Sequence, residues 1–470
     1  MSFRTLTLTT LLVAALPAPA FAASDVPAPA VKVFGYDRVR VMSQLNYDLD
    51  PAALADNWLF YTDMRGWVGL EAAWDQMKLV ATTDVAGSDF DEGAVMGFDN
   101  PARQRPIAVM VRHLYMEGAL PDVGVTAVFG RQPARLGHGI VSACNRDGFK
   151  LTKALGDLGP LAKSSLTATA IRGAKGSTLW PDQLPAPSAA GVTVQKGMAG
   201  AVQGATVTND ADGSWHGLDT YVLSYAAQPL GQKVQAFFVQ QIDTSQAAMY
   251  PSKRYLDLNT DAVLGDWKLG LEGIWLTGVG PSGTNGQRPD LRSYALYGTS
   301  SYTVGNLDFG LTAGRGGGDN DTTDGQNSGF QSLFIDEQSM AYNQLFGDDL
   351  HGYDGTDAGI ARGAGFNNVT FVQPNVTWRL TPTLTGNLAY TYHMASAPQR
   401  EGSGVMGTTP TTATALTPDI GSEVDARLAW KLGVTTIYGA ASTFVPGAIY
   451  AKPGLANAAH KVELGTELRF

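Results

Sequence analysis

The last ten residues set a pattern that recurs along the chain. Val462, Leu464, Thr466, Leu468 and Phe470 fall on one parity, and Lys461, Glu463, Gly465, Glu467 and Arg469 on the other. Such alternation describes a β-strand, because successive side chains point to opposite faces. Four other segments repeat it. Val424, Ala426, Leu428 and Trp430 alternate with Glu423, Asp425, Arg427, Ala429 and Lys431. Trp267, Leu269, Leu271 and Trp275 alternate with Lys268 and Glu272. Leu384, Leu388, Tyr390 and Tyr392 alternate with Thr385, Asn387, Thr391 and His393. Near the start, Val31, Val33, Val39 and Val41 alternate with Lys32, Tyr36, Arg38 and Arg40. A soluble sandwich would bury the apolar faces, whereas a membrane barrel turns them to lipid and the polar faces to a lumen. In 105–118 the faces mix, as at a β-bulge, and either Arg112 or His113, Tyr115 and Glu117 point inward.

The connections alternate between short and long. The short ones lie near Trp74-Asp75, Pro121, 156–160, Leu230, Gly265-Asp266, Gly305, Pro382 and Leu432-Gly433, and several carry the Gly, Pro or Asp of tight turns. The long polar ones are 49–56, 86–104, 132–145, 173–213, 243–253, 279–289, 315–363, 396–419 and 446–458. Short turns on one rim and long loops on the other are the outer-membrane pattern. The expected fold is all-β: a transmembrane antiparallel up-and-down barrel of about 18 strands, with short periplasmic turns and long extracellular loops. Trp58, Trp74, Trp267, Trp378, Trp430 and Tyr438 fall near strand ends, where aromatic girdles form at the membrane interface.

Composition sharpens this reading. Of 470 residues, 55 are Gly, 44% are hydrophobic and 16% charged, and the mean hydropathy is −0.06. A helical membrane protein is more apolar and a disordered chain more charged. Residues 1–22 have the order of a signal peptide: Arg4, an apolar run from Leu6 to Leu16, and Ala20-Phe21-Ala22 for cleavage. Residues 23–30 then form a short periplasmic segment and 31–470 the barrel, with long extracellular loops 173–213 and 315–363. The formal net charge of −10 speaks against nucleic acid as a partner. The single cysteine, Cys144, cannot form an internal disulfide.

A barrel this wide cannot fill its lumen with its own side chains. Inward charges then form the working surface. Arg38, Arg40 and Arg65, from the first two strands, are the best candidates for an anion-attracting strip. Arg292, Arg379 and Arg427 are further inward cations, and Asp63, Glu423 and Asp425 are inward acids. In the longest loop, Asp319, Asp321 and Asp324 have calcium-loop spacing, but Thr323 and Phe330 break the EF-hand pattern, and a solvated acidic loop is the plainer reading. Further along, Leu333, Phe334, Met340, Leu345 and Phe346 could form one face of a short helix, and the loop is expected to fold into the mouth as a constriction. No nucleophile elbow, HExxH or phosphate loop is present, and the six histidines lack ligand spacing, so neither an enzyme nor a cofactor is expected.

Three stretches resemble the alginate export porin family. They are Arg112-x-x-Tyr115-x-Glu117 followed by Gly130-Arg131-Gln132; Gly314-Arg315-Gly316 running to Phe330 and Leu345-Phe346-Gly347-Asp348; and Gly421 to Asp425, Phe444-x-Pro446-Gly447 and the closing strand. The resemblance implies a monomeric 18-stranded barrel with Arg131 pointing into the pore. It also implies passage of solutes or anionic saccharides through a water-filled lumen. The interior read from the sequence is mixed in sign, which departs from the basic lumen of that family. Export of an acidic polysaccharide and a plugged adhesive barrel are the alternatives. Outer-membrane lipid and the barrel-assembly machinery, reading a C-terminal strand that ends in Phe470, are the expected partners.

Overall fold

The computed structural model describes residues 28–45, 58–85, 94–97, 109–143, 145–172, 178–179, 192–196, 202–207, 218–243, 252–280, 288–319, 324–335, 346, 366–400, 415–450 and 458–470. Residues 1–22, Cys144, Asp321, Met340 and Leu345 therefore lie outside the described residues, as does most of loop 315–363.

Eighteen strands form the wall: β1 (Ala30–Leu45), β2 (Trp58–Ala73), β3 (Met77–Val85), β4 (Val109–Leu120), β5 (Val125–Pro133), β6 (Asn145–Leu158), β7 (Leu161–Arg172), β8 (Leu218–Pro229), β9 (Lys233–Asp243), β10 (Ser252–Leu264), β11 (Trp267–Val279), β12 (Asp290–Val304), β13 (Leu307–Gly316), β14 (Val369–Arg379), β15 (Leu384–Arg400), β16 (Leu416–Leu432), β17 (Thr435–Pro446) and β18 (Ala459–Arg469). Each pairs antiparallel with the next, and β18 pairs with β1 from Arg469↔Tyr36 to His460↔Leu45, which closes the ring. Closure satisfies the backbone groups that an open edge would leave bare in hydrocarbon. The short turns share one rim with the start of β1 and the end of β18. Leu264 and Trp267, for example, pair across Gly265-Asp266. Gly265 has φ +63°, a left-handed conformation suited to a two-residue hairpin loop.

Burial is inverted relative to a soluble protein. On β18, Lys461 and Glu463 are 3% and 8% exposed, whereas Val462 and Leu464 are 57% and 62% exposed. The alternation seen in the sequence thus places charge inside and hydrocarbon outside. Outward aromatics, among them Trp267, Phe309 and Trp430 towards the short-turn rim and Trp275, Tyr221 and Phe129 towards the other, remain exposed. The mixed stretch on β4 is a bulge. Thr82 pairs with His113 and Thr83 with Val111, so Arg112 is the extra residue. It joins His113 inside and reaches Asp84 at 3.3 Å.

Three expectations are corrected. The stretch 396–419 is not all loop: β15 runs to Arg400 and β16 starts at Leu416. Tyr438 is no girdle residue, because it is buried on the inner face with its hydroxyl donated to Glu463. Phe334 lies in a short strand, Phe334–Ile335, paired in parallel with Ser142–Ala143, instead of a helix. Each of the two strands belongs to a loop. Loop 134–144 and the loop after β13 therefore meet, and an apolar cluster containing Leu136, Ile140, Val141, Phe330, Leu333 and Phe346 packs against inward residues of the wall.

Candidate functional site: the loop-lined lumen

The infolded loops are anchored by inward side chains. Tyr255 donates its hydroxyl to the Gln331 carbonyl at 2.7 Å, and Lys253 its ammonium to the Ser332 carbonyl at 3.1 Å. The Leu333 N–H donates to the Val141 carbonyl at 2.7 Å, tying one loop to the other. Farther round the wall, the Phe346 N–H donates to the fully buried Glu423 carboxylate at 2.8 Å, and its ring stacks on Phe444.

Loop 134–144 is held by a cluster of contacts at His138. The backbone N–H and Nδ1 of His138 both reach Glu272 Oε2 at 2.7 Å, and Nε2 reaches Asp261 Oδ1 at 3.0 Å. Gly137, at φ +53°, lies so close that a Cβ there would meet Glu272 Oε1 at 2.5 Å. An imidazolium donates at both nitrogens, so the two carboxylates favour the protonated ring. The Glu272 hydrogen bond is the largest influence raising the His138 pKa above its ordinary value. Burial opposes it, and Asp261 reinforces it. The partners of His138 sit 134 and 123 residues away in sequence, so no local spacing marks the contact.

Between this loop and the inner faces of β6–β9 lies a cavity of about 120 Å³. Arg135, Arg146 and Lys150 supply cations, Thr167, Thr169 and Ser224 hydroxyls, and Ile171, Val222 and Phe237 apolar surface. Among the described residues, no carboxylate lines it. Glu117 stands two strands from Lys150 in the same row but is engaged by Lys78 at 3.1 Å.

The residues picked out from the sequence divide into groups. Arg38, Arg40 and Arg65 share the inner face: Arg38 faces Arg65 on β2 and Glu467 on β18, and Arg40 binds Glu463 at 3.3 Å. Asp63 is in register with Arg40, though its side chain lies outside the described residues. Arg427 is also inside, on Glu467 at 3.2 Å with its guanidinium 4.3 Å from the Tyr438 ring centroid. Arg379 pairs with Asp308 on the inner face near the short turns. Glu423 and Asp425 are inside and buried. Two arginines are corrected. Arg131 shares the outer face with Phe129 and pairs with Asp147 at 3.7 Å, since Val128 and Gln132 take the inner parity. Arg292 is outward, between the buried Leu291 and Ser293, and lies 3.9 Å from Asp290. Both stand near the long-loop rim, where an outward strand face leaves hydrocarbon and tolerates charge. Asp324 turns its carboxylate to the Gln326 N–H at 2.7 Å, and Asp319 accepts from Gln399 through its backbone carbonyl.

No family model matches the sequence, so the resemblance to alginate export porins finds no support. No curated protein matches it significantly. Solved structures do match the fold. The outer membrane protein opdK from Pseudomonas aeruginosa aligns over 94% of this chain and 98% of its own, at TM-score 0.54 and 12% identity. The same protein with vanillate aligns over the same shares, at 0.53 and 11%. A BenF-like porin from Pseudomonas fluorescens Pf-5 likewise aligns over 94% and 98%, at 0.53 and 11%. The fold is that of an 18-stranded outer-membrane porin.

Proposed function

We propose that this chain is a selective outer-membrane channel that passes small organic anions through a lumen narrowed by its own loops. The observation that carries this reading is the cavity under loop 134–144, lined by no carboxylate among the described residues, where Arg135, Arg146 and Lys150 adjoin Ile171, Val222 and Phe237. Cations beside apolar surface suit a solute with a carboxylate and a compact hydrocarbon body. An engineered apolar cavity of about 150 Å³ binds benzene, so about 120 Å³ suits a body no larger than one ring. The neighbouring opdK structure with vanillate, an aromatic carboxylate, supports the same class. Export of an acidic polymer fits less well, because two loops occupy the lumen and the wall charges are mixed in sign.

Planar-bilayer recording tests the proposal. A salt gradient should give a reversal potential that favours anions, and benzoate should block the current at concentrations where benzylamine does not. Cation preference, or a barrel that carries no current, would overturn it.

A further inference from the structure

We infer that the outer wall over β10–β13 binds a phosphorylated, acylated lipid of the outer leaflet. The inference is independent of the lumen. Strand register places Arg254, Thr277 and Arg292 in one outward row across β10, β11 and β12, with Leu256, Trp275 and Tyr294 in the row beneath. Leu256 and Trp275 are exposed apolar residues facing hydrocarbon. Arg254 and Arg292 are exposed and stand one step beyond Trp275 towards the long-loop rim, at headgroup level. Two strand spacings separate them, about 10 Å. Arg315, also outward and exposed, holds its guanidinium 5.8 Å from the Tyr294 ring centroid, which brings a third cation to the patch. Among the described residues, the one carboxylate paired there is Asp290, 3.9 Å from Arg292.

This arrangement has two parts. Guanidinium groups bind phosphate through paired N–H donors, and three of them exceed the charge of Asp290. Below them, Leu256, Trp275, Leu258 and Leu296 offer a continuous apolar surface for acyl chains. A free phosphate would use only the first part and a neutral lipid only the second. A lipid with phosphate on its headgroup uses both. The long-loop rim faces outside, so the lipid belongs to the outer leaflet.

Lipid binding to the full chain in detergent tests the inference. Native mass spectrometry would titrate bis-phosphorylated lipid A and its dephosphorylated form against wild type, the triple variant R254Q/R292Q/R315Q, D290N and R131Q. Unchanged single-channel conductance would show that the barrel of each variant is intact. The expected result is a loss of at least about tenfold in affinity for the phosphorylated lipid in the triple variant. R131Q should bind like wild type, D290N at least as tightly, and the dephosphorylated lipid weakly to every protein. Wild-type affinity in the triple variant, or equal binding of the two lipids by wild type, would overturn the inference.

Discussion

Two arcs of the inner wall carry similar cations in opposite circumstances. In the arc from β16 through β18 to β2, arginines meet carboxylates across the wall: Arg40 meets Glu463 on the adjacent strand, and Arg427 meets Glu467 two strands away. Around β6–β9, Arg135, Arg146 and Lys150 border a cavity that no carboxylate lines among the described residues. Charge paired with carboxylates of the wall stiffens it, whereas in the proposed reading the cations beside the cavity meet the solute. Within the strip Arg38, Arg40 and Arg65, the natural choice from sequence, Arg40 is thus held by the wall. The cations beside the cavity are supplied partly by a loop.

The comparison breaks most visibly if the loop is removed. Replacing Leu136–Ala143 with a short Gly-Ser linker removes part of the cavity roof and the His138 contact. Single-channel conductance should rise severalfold, and block by benzoate should disappear. An unchanged current would mean that the loop does not narrow the path.

Two single substitutions should then separate the arcs. R40Q leaves the Glu463 carboxylate buried beside fewer donors. Loss of one partner of a buried pair costs about 3 kcal/mol, to be read by urea unfolding in detergent, with ionic selectivity little changed. K150Q should do the reverse. Stability should change little, while permeability shifts towards cations by about threefold to tenfold, equivalent to roughly 0.7–1.4 kcal/mol of lost attraction. Matching profiles for the two variants would erase the distinction between the arcs.

Much of the barrel was legible because parity is local: each strand announces two faces within ten residues, and each turn carries its own chemistry. The faces of β18, β16 and β11 follow directly. Arg131 was misplaced by resemblance against its own parity, since exposed Phe129 marks that face as outward. Tyr438 was misplaced because a phenol suits either the membrane interface or a buried carboxylate, and only Glu463 on the next strand decides. The cavity was not legible at all. Arg135, Lys150 and Phe237 come from a loop and two non-adjacent strands, and no short-range pattern brings them together.

A third arc is the wall opposite β1, where β10 and β11 use their acids to hold the loop. His138 faces Glu272, Asp261 and the Tyr297 ring, with Asp257 and Lys233 behind the carboxylates and Arg135 on its own loop. Its pKa is raised in the docked state, so docking favours protonation. That contribution is complete below the ordinary imidazole value of 6.5 and fades as pH climbs through the raised one. Current should therefore be quiet at low pH and noisier at high pH. H138Q should flatten this dependence if the imidazole is its source, and an unaltered profile in H138Q would assign the titration elsewhere.

The smallest expected effect tests how completely the framework arc is satisfied. The Tyr438 hydroxyl donates to Glu463, whose other oxygen takes Arg40 at 3.3 Å, and the ring lies under Arg427. Y438F keeps the ring and removes only the donor. A hydrogen bond to a charged group contributes about 1.5–3 kcal/mol, but Arg40 and the nearby Lys461 still compensate Glu463, so the lower figure applies. Stability should fall by about 1.5 kcal/mol in detergent unfolding, with conductance and selectivity at wild-type values. A shift in selectivity would show that Glu463, once released, faces the solute path, and would place this arc with the cavity instead of against it.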